Sequence, residues 1–173
     1  MGLLDEAGLE ALASTGCSKC KSTRLRFGAY LDALLPIMDA EPVGKMTWVY
    51  DGEKFVDGVF EVSCADCNME LFAADVCPRC HAPGGLAKAL ATTNEWPVPT
   101  ECPSCEGEEL RYIAMVPASV AYNGRRADKP RCGTELLDEG FHGYRVDCKS
   151  CRTVAIRDTC PLCNAAPPLR PRP

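Results

Sequence analysis

The sequence predicts a small, mainly β protein built as two tandem modules related by internal duplication, with a short N-terminal helix and cross-links made through cysteine. Two observations carry that expectation. Twelve of the thirteen cysteines form six Cys-x-x-Cys pairs, in two successive sets of three. The first set is Cys17/Cys20, Cys64/Cys67 and Cys77/Cys80; the second is Cys102/Cys105, Cys148/Cys151 and Cys160/Cys163. The sets are offset by 85, 84 and 83 residues for the first, second and third pairs. Short apolar runs with the strand period of two lead into or out of the pairs. Each module holds roughly 80 residues, too few for a large apolar core, so cross-links matter to its stability.

The elements follow in order. Leu3, Leu4, Ala7, Ala11 and Leu12 recur at helical spacing and Gly16 is a natural stop, which predicts a helix over 3–13. Leu25 to Tyr30 reads as a strand leaving the first Cys-x-x-Cys turn, and Ala33 to Met38, interrupted by Pro36, as a loop with one helical turn. Met46 to Tyr50 and Lys54 to Val56 read as a hairpin closed by Asp51-Gly52. Val59 to Val62 runs into Cys64, and Glu70 to Ala73 leads on to Cys77. The second module repeats the plan with strands over Leu110 to Val116, Tyr144 to Cys148 and Thr153 to Asp158. Between them lies a helical stretch, Leu86 to Leu90, and then a polar, proline-rich run containing Trp96. The modules therefore span 1–91 and 102–167, with a linker over 92–101 and an extended tail over 168–173.

A Cys-x-x-Cys turn aims two sulfurs at one point, and two such turns make the tetrahedral thiolate cage that zinc prefers. Cys102-Pro103-Ser104-Cys105 and the stretch from Gly143 to Val154 look like the first and second knuckles of a zinc ribbon. Each module resembles the zinc ribbon superfamily, where one knuckle opens the module and the second sits between two antiparallel strands. That resemblance implies a fold and structural zinc and no particular activity; the twelve paired sulfurs suffice for two or three ions per chain. All twelve paired cysteines are the expected ligands.

Two partitions are open. In the ribbon partition, Cys17/Cys20 joins Cys64/Cys67 and Cys102/Cys105 joins Cys148/Cys151. In the compact partition, the second and third pairs of each module share a metal, with nine residues between Cys67 and Cys77 and eight between Cys151 and Cys160. Loop-closure entropy slightly favours the compact sites. They would leave Cys17/Cys20 and Cys102/Cys105 to meet around a third metal through pseudo-two-fold packing of the modules. Cys132, alone beside Gly133, lacks the paired spacing and reads as an unligated thiol; the alternative is a site with Cys102, Cys105 and His142. His81 and His142 read as ordinary loop residues, given the surplus of thiols.

A closed tetrathiolate site leaves no position for water or substrate, and no phosphate loop, Ser-His-Asp set or paired carboxylates with a base stand out. The expected protein is not an enzyme and has no small-molecule substrate. Iron in the same cages would give a rubredoxin-like electron carrier, and a dithiol redox role is a further alternative; closed, repeated ribbons favour zinc over both. The N-terminus lacks a secretory leader and no apolar run is long enough for a membrane span, so the expectation is a cytoplasmic protein. Net charge is −5, all of it in residues 1–93, because residues 94–173 carry 11 basic and 11 acidic residues. This acidity favours a protein partner, in an adaptor, subunit or regulator role. The alternative is nucleic-acid contact through the Arg125–Arg131 loop.

Overall fold

A computed structural model describes residues 2–38, 41–42, 47–48, 58–91, 99–125, 127–128 and 142–165. The described elements are α1 (Glu6–Thr15), β1 (Leu25–Met38), β2 (Glu41–Pro42), β3 (Thr47–Trp48), β4 (Val59–Cys64), β5 (Glu70–Ala73), α2 (Gly85–Ala91), β6 (Leu110–Tyr122), β7 (His142–Cys148) and β8 (Val154–Ile156). The fold is mainly β, as expected. One antiparallel sheet runs β5-β4-β1-β6-β7-β8, and β2 and β3 also pair with β1.

The duplication is visible in the register. In the first half Leu25 faces Cys64 and Phe27 faces Val62; in the second, Leu110 faces Cys148 and Tyr112 faces Val146. Both ladders then shift register at the same place, between Gly28 and Ala29 and between Ile113 and Ala114. The halves are joined by the pairing of β1 with β6, which runs from Leu25↔Tyr122 to Ile37↔Leu110. An 85-residue shift exchanges those two end pairs, so the ladder has a local two-fold at Leu31↔Val116.

This ladder corrects the expectation for Ala33 to Met38. The segment is not a loop with a helical turn but the second half of a 14-residue strand. Every residue from Leu25 to Ile37 has a partner on β6, and that continuous pairing outweighs the local signal of Pro36. Proline lacks an N–H for the ladder and is tolerated where an edge is free of pairing. On the other side of β1 the described pairs are Ala33–Leu34 with β3 and Ile37–Met38 with β2. β6 likewise extends past Val116 to Tyr122.

The N-terminal helix starts later than its apolar spacing predicts. Asp5 caps it by accepting the Gly8 N–H at 2.9 Å, and Gly16 closes it at φ 72° with its N–H on the Leu12 carbonyl. Leu4 is freed to bridge Val59 through two backbone hydrogen bonds. Leu9 and Ala13, one turn apart, are buried against β1, β4 and β6. The proposed hairpin turn at Asp51-Gly52, Trp96, Cys132, most of the 92–101 linker and the 168–173 tail lie outside the described residues.

Two glycines within the strands are required by packing. A Cβ on Gly143 would sit 1.8 Å from the Tyr112 hydroxyl oxygen and 2.1 Å from its Cζ, so the buried Tyr112 ring lies across the β7 backbone. A Cβ on Gly28 would meet the Phe60 ring at 2.9 Å. The Gly143→Ala variant is expected to lose about 2–3 kcal/mol, with a lower Tm in thermal unfolding, because the Tyr112 ring must leave its site. A smaller loss is expected for Gly28→Ala, where the ring edge has less far to move.

Candidate metal centres

All six Cys-x-x-Cys turns adopt one backbone form. The N–H four residues after each first cysteine donates to that cysteine's carbonyl: Lys21 to Cys17, Asn68 to Cys64, His81 to Cys77, Glu106 to Cys102, Arg152 to Cys148 and Asn164 to Cys160. The first cysteine's own N–H donates to the carbonyl five residues on, at 2.8–3.0 Å. Closing so tight a loop puts the residue after the second cysteine at positive φ. Lys21, Asn68, His81, Glu106, Arg152 and Asn164 have φ of 55–64°, and they are the only described non-glycine residues there. His81 is thus an exposed turn residue, as the sequence implied.

The twelve thiols gather into three groups of four. Cys17, Cys20, Cys64 and Cys67 form one; Cys102, Cys105, Cys148 and Cys151 form its twin; Cys77, Cys80, Cys160 and Cys163 form the third. Within each group all the sulfurs lie within 4.8 Å of one another, and none is in a disulfide. The closest Sγ–Sγ approaches between turns are 3.4 and 3.6 Å in the first group, 3.5 and 3.6 Å in its twin, and 3.3 and 3.7 Å in the third. A tetrahedron with metal–sulfur bonds of about 2.3 Å has edges of about 3.8 Å, so the donor set fits a four-coordinate ion.

The ribbon partition is therefore the observed one, and the compact partition favoured by loop length is corrected. Strand direction decides it. Leu25, just past the first turn, pairs with Cys64, so the first and second turns share one end of the sheet. From Cys67 the chain returns along β5, antiparallel to β4, and carries the third pair to the opposite end of that hairpin. The entropy difference between the loops is only about 1 kcal/mol and cannot oppose a paired ladder. The four-thiol cluster between modules exists, but the third pairs build it and the first pairs do not. Cys77 meets Cys160 and Cys80 meets Cys163, each with its own duplicate, as the two-fold of the ladder requires.

The third cluster is the buried one. Cys77 and Cys160 are fully buried and sit with Leu162, Phe60, Tyr30 and Met115 in the main apolar core. Gly85 is needed beside it, since a Cβ there would lie 2.5 Å from the Cys77 Cβ. In the other two clusters Cys20, Cys105 and Cys151 are exposed. Across the interface the Arg79 guanidinium lies over the Tyr144 ring at 4.6 Å, and an Arg79 Nη1 donates to the Met115 sulfur at 3.4 Å. His142 does not join Cys102 and Cys105. It is buried on β7 and packs edge-on against Tyr30 at 5.6 Å, and burial holds its imidazole below the usual pKa.

Thiol acidities split within each group. The Cys77 thiol hydrogen bond holds Cys160 down to about 5, while the same contact drives Cys77 upward. Thr153 holds Cys151 down to about 6, and the Cys20 and Lys19 backbone N–H groups hold Cys17 down to about 7 against burial. Cys20 and Cys105 are pushed up to about 12, their neighbouring thiols outweighing backbone N–H donors. The physical content is simple. One thiolate can be shared among crowded S–H donors, but four negative charges within 4.8 Å need a cation.

No protein-family model, curated protein or solved structure matches this chain. The architecture and the grouped Cys-x-x-Cys pairs are compatible with zinc-ribbon-like modules. No helix among the described residues is long and apolar enough to cross a membrane.

Two outcomes follow from the turn geometry and from burial. Asn68→Val should lose about 1–2 kcal/mol in chemical denaturation, since a β-branched residue is strained at positive φ, whereas Asn68→Gly should be close to neutral. Alkylation by iodoacetamide, followed by peptide mass mapping, should modify Cys151, exposed and held down to about 6, well before Cys77, which is buried and pushed up.

Proposed function

We propose that this chain is a non-catalytic scaffold held by three structural zinc ions, one in each four-thiol cluster, and that it works as a protein-interaction module: an adaptor, subunit or regulator. The observation that carries the reading is the third cluster. It takes two thiols from each half of the duplication and lies buried where the halves meet. An ion there ties the halves together and has no open position for water or substrate. The exposed clusters are closed in the same way, so none is built for Lewis-acid chemistry.

Zinc suits the sites better than iron because six identical turns and tetrahedral sulfur cages need only an ion without redox or ligand-field demands. A protein partner is favoured by charge. The formal −5 counts thiols as neutral, and each filled cage adds roughly −2. Such a molecule repels a phosphate backbone over most of its surface.

Native mass spectrometry together with elemental analysis tests the reading. Three zinc ions per chain are expected, with loss of the β-sheet circular dichroism signal when a strong chelator removes them at neutral pH. Acidification should release the metal in the same way, because protons compete for the thiolates. A red, iron-loaded protein would replace the scaffold with an electron carrier. A metal-free chain that keeps its fold, with its sulfurs joined in disulfides, would refute it.

A further inference from the structure

The duplicated halves differ sharply on one surface. Arg111, Arg145, Lys149 and Arg152 line a shallow groove of ≈ 440 Å³ on the second half, together with Asp147 and Val154. The strand registers place Arg26, Glu61, Ala65, Asn68, Ser63 and Glu70 at the matching positions of the first half. One twin surface thus carries four cations and a single carboxylate, the other one cation and two carboxylates. The ion pair beside the second turn has reversed polarity as well: Arg24 with Asp66 in the first half, Glu109 with Lys149 at 3.3 Å in the second.

The groove borders β8, an edge strand. The Thr153 carbonyl accepts the Cys148 N–H and the Arg157 N–H donates to the Tyr144 carbonyl, so residues 153, 155 and 157 direct their backbone groups at β7. Val154 and Ile156 direct theirs outward, where nothing among the described residues pairs with them. Their side chains are exposed too, at 43% and 61%. Natural edges are usually blunted by charge or proline, yet this one presents two apolar residues two apart beside four cations. The matching positions on β5 hold Glu70 and Ala73.

We propose that β8 and its basic groove are a docking site for an acidic, extended segment of a partner protein. The segment adds to the sheet as a strand beside Val154 and Ile156. Its carboxylates meet Arg111, Arg145, Lys149 and Arg152, and its alternate apolar side chains cover Val154 and Ile156. Charge complementarity selects an anionic partner. The free backbone edge and the exposed aliphatic residues select a peptide over a nucleic acid, which would need stacking aromatics in place of valine and isoleucine. The inference rests on the protein-interaction reading above and names the surface and the chemistry of its partner.

The test uses the full, metal-loaded chain and three labelled probes at low salt: a short peptide of alternating glutamate and valine, its lysine–valine counterpart, and a single-stranded oligonucleotide. Fluorescence anisotropy should show binding of the acidic peptide alone. The triple variant Arg145→Glu, Arg152→Asn, Val154→Glu installs the first half's own residues at three of the matching positions; because it also breaks the Arg145–Asp147 ion pair, its metal content and thermal unfolding are measured alongside. It should weaken binding by about tenfold or more. Ile156→Pro removes an outward N–H without touching the β7 ladder and should weaken binding by about fivefold. Equal binding of the two peptides, indifference to the triple variant, or preferential capture of the oligonucleotide would each overturn the proposal. A chain that holds its three metals yet ignores the acidic peptide would overturn it while leaving the metal scaffold standing.

Discussion

The pairing of β1 with β6 is the constraint from which the rest of the arrangement follows. It joins the two copies along thirteen consecutive residue pairs and sets their symmetry through the Leu31↔Val116 position. Once that register is set, each copy's third turn lies opposite its own duplicate, so Cys77 meets Cys160 and Cys80 meets Cys163. The third cluster is thus a product of the ladder, and an ion held there, as proposed, would lock the ladder in return. Zinc bound to small folding units contributes on the order of 10 kcal/mol or more per site. Total stabilities of domains are commonly about 5–15 kcal/mol, so thiol clusters filled as proposed would rank with the apolar core as determinants of this fold.

Duplication supplies an internal comparison that a single module could not. The six turns share one hydrogen-bond pattern and one positive-φ position despite six surroundings, so the turn conformation belongs to the Cys-x-x-Cys geometry and not to its flanks. Where the copies differ, the difference is selective. Arg79 and Leu162 hold the same place in the third turns, yet Arg79 lies over Tyr144 while Leu162 is fully buried in the core. The outer ribbon faces differ in charge in the same selective manner, although their strands and turns superimpose in register. Fold and surface have been separated: one was kept in duplicate, the other was not.

Much of this was legible in the residues. The six cysteine pairs, the repeat offsets and the short apolar runs lead to a duplicated, mainly β fold with grouped thiols, and the strands at 59–64 and 70–73 stand where their alternation placed them. The α1 boundary was missed because apolar spacing alone ignores Asp5, whose side chain decides where the helix begins. Reading Pro36 as a breaker failed because a local signal says nothing of the thirteen-residue ladder with β6 in which Pro36 faces Arg111. The basic groove escaped notice because Arg111, Arg145, Lys149 and Arg152 are scattered along the chain and no local run of charge marks them.

Which sulfurs come together in pairs was determined by the sequence, since a Cys-x-x-Cys turn directs its two sulfurs together whatever follows it. How the six turns divide into three clusters was decided only by tertiary structure. Loop lengths distinguish the partitions by about 1 kcal/mol, whereas strand direction places the second and third turns at opposite ends of a hairpin. The charge of each ribbon face was settled at the same level. Residues far apart in the chain share a surface only after antiparallel pairing has laid β6, β7 and β8 side by side.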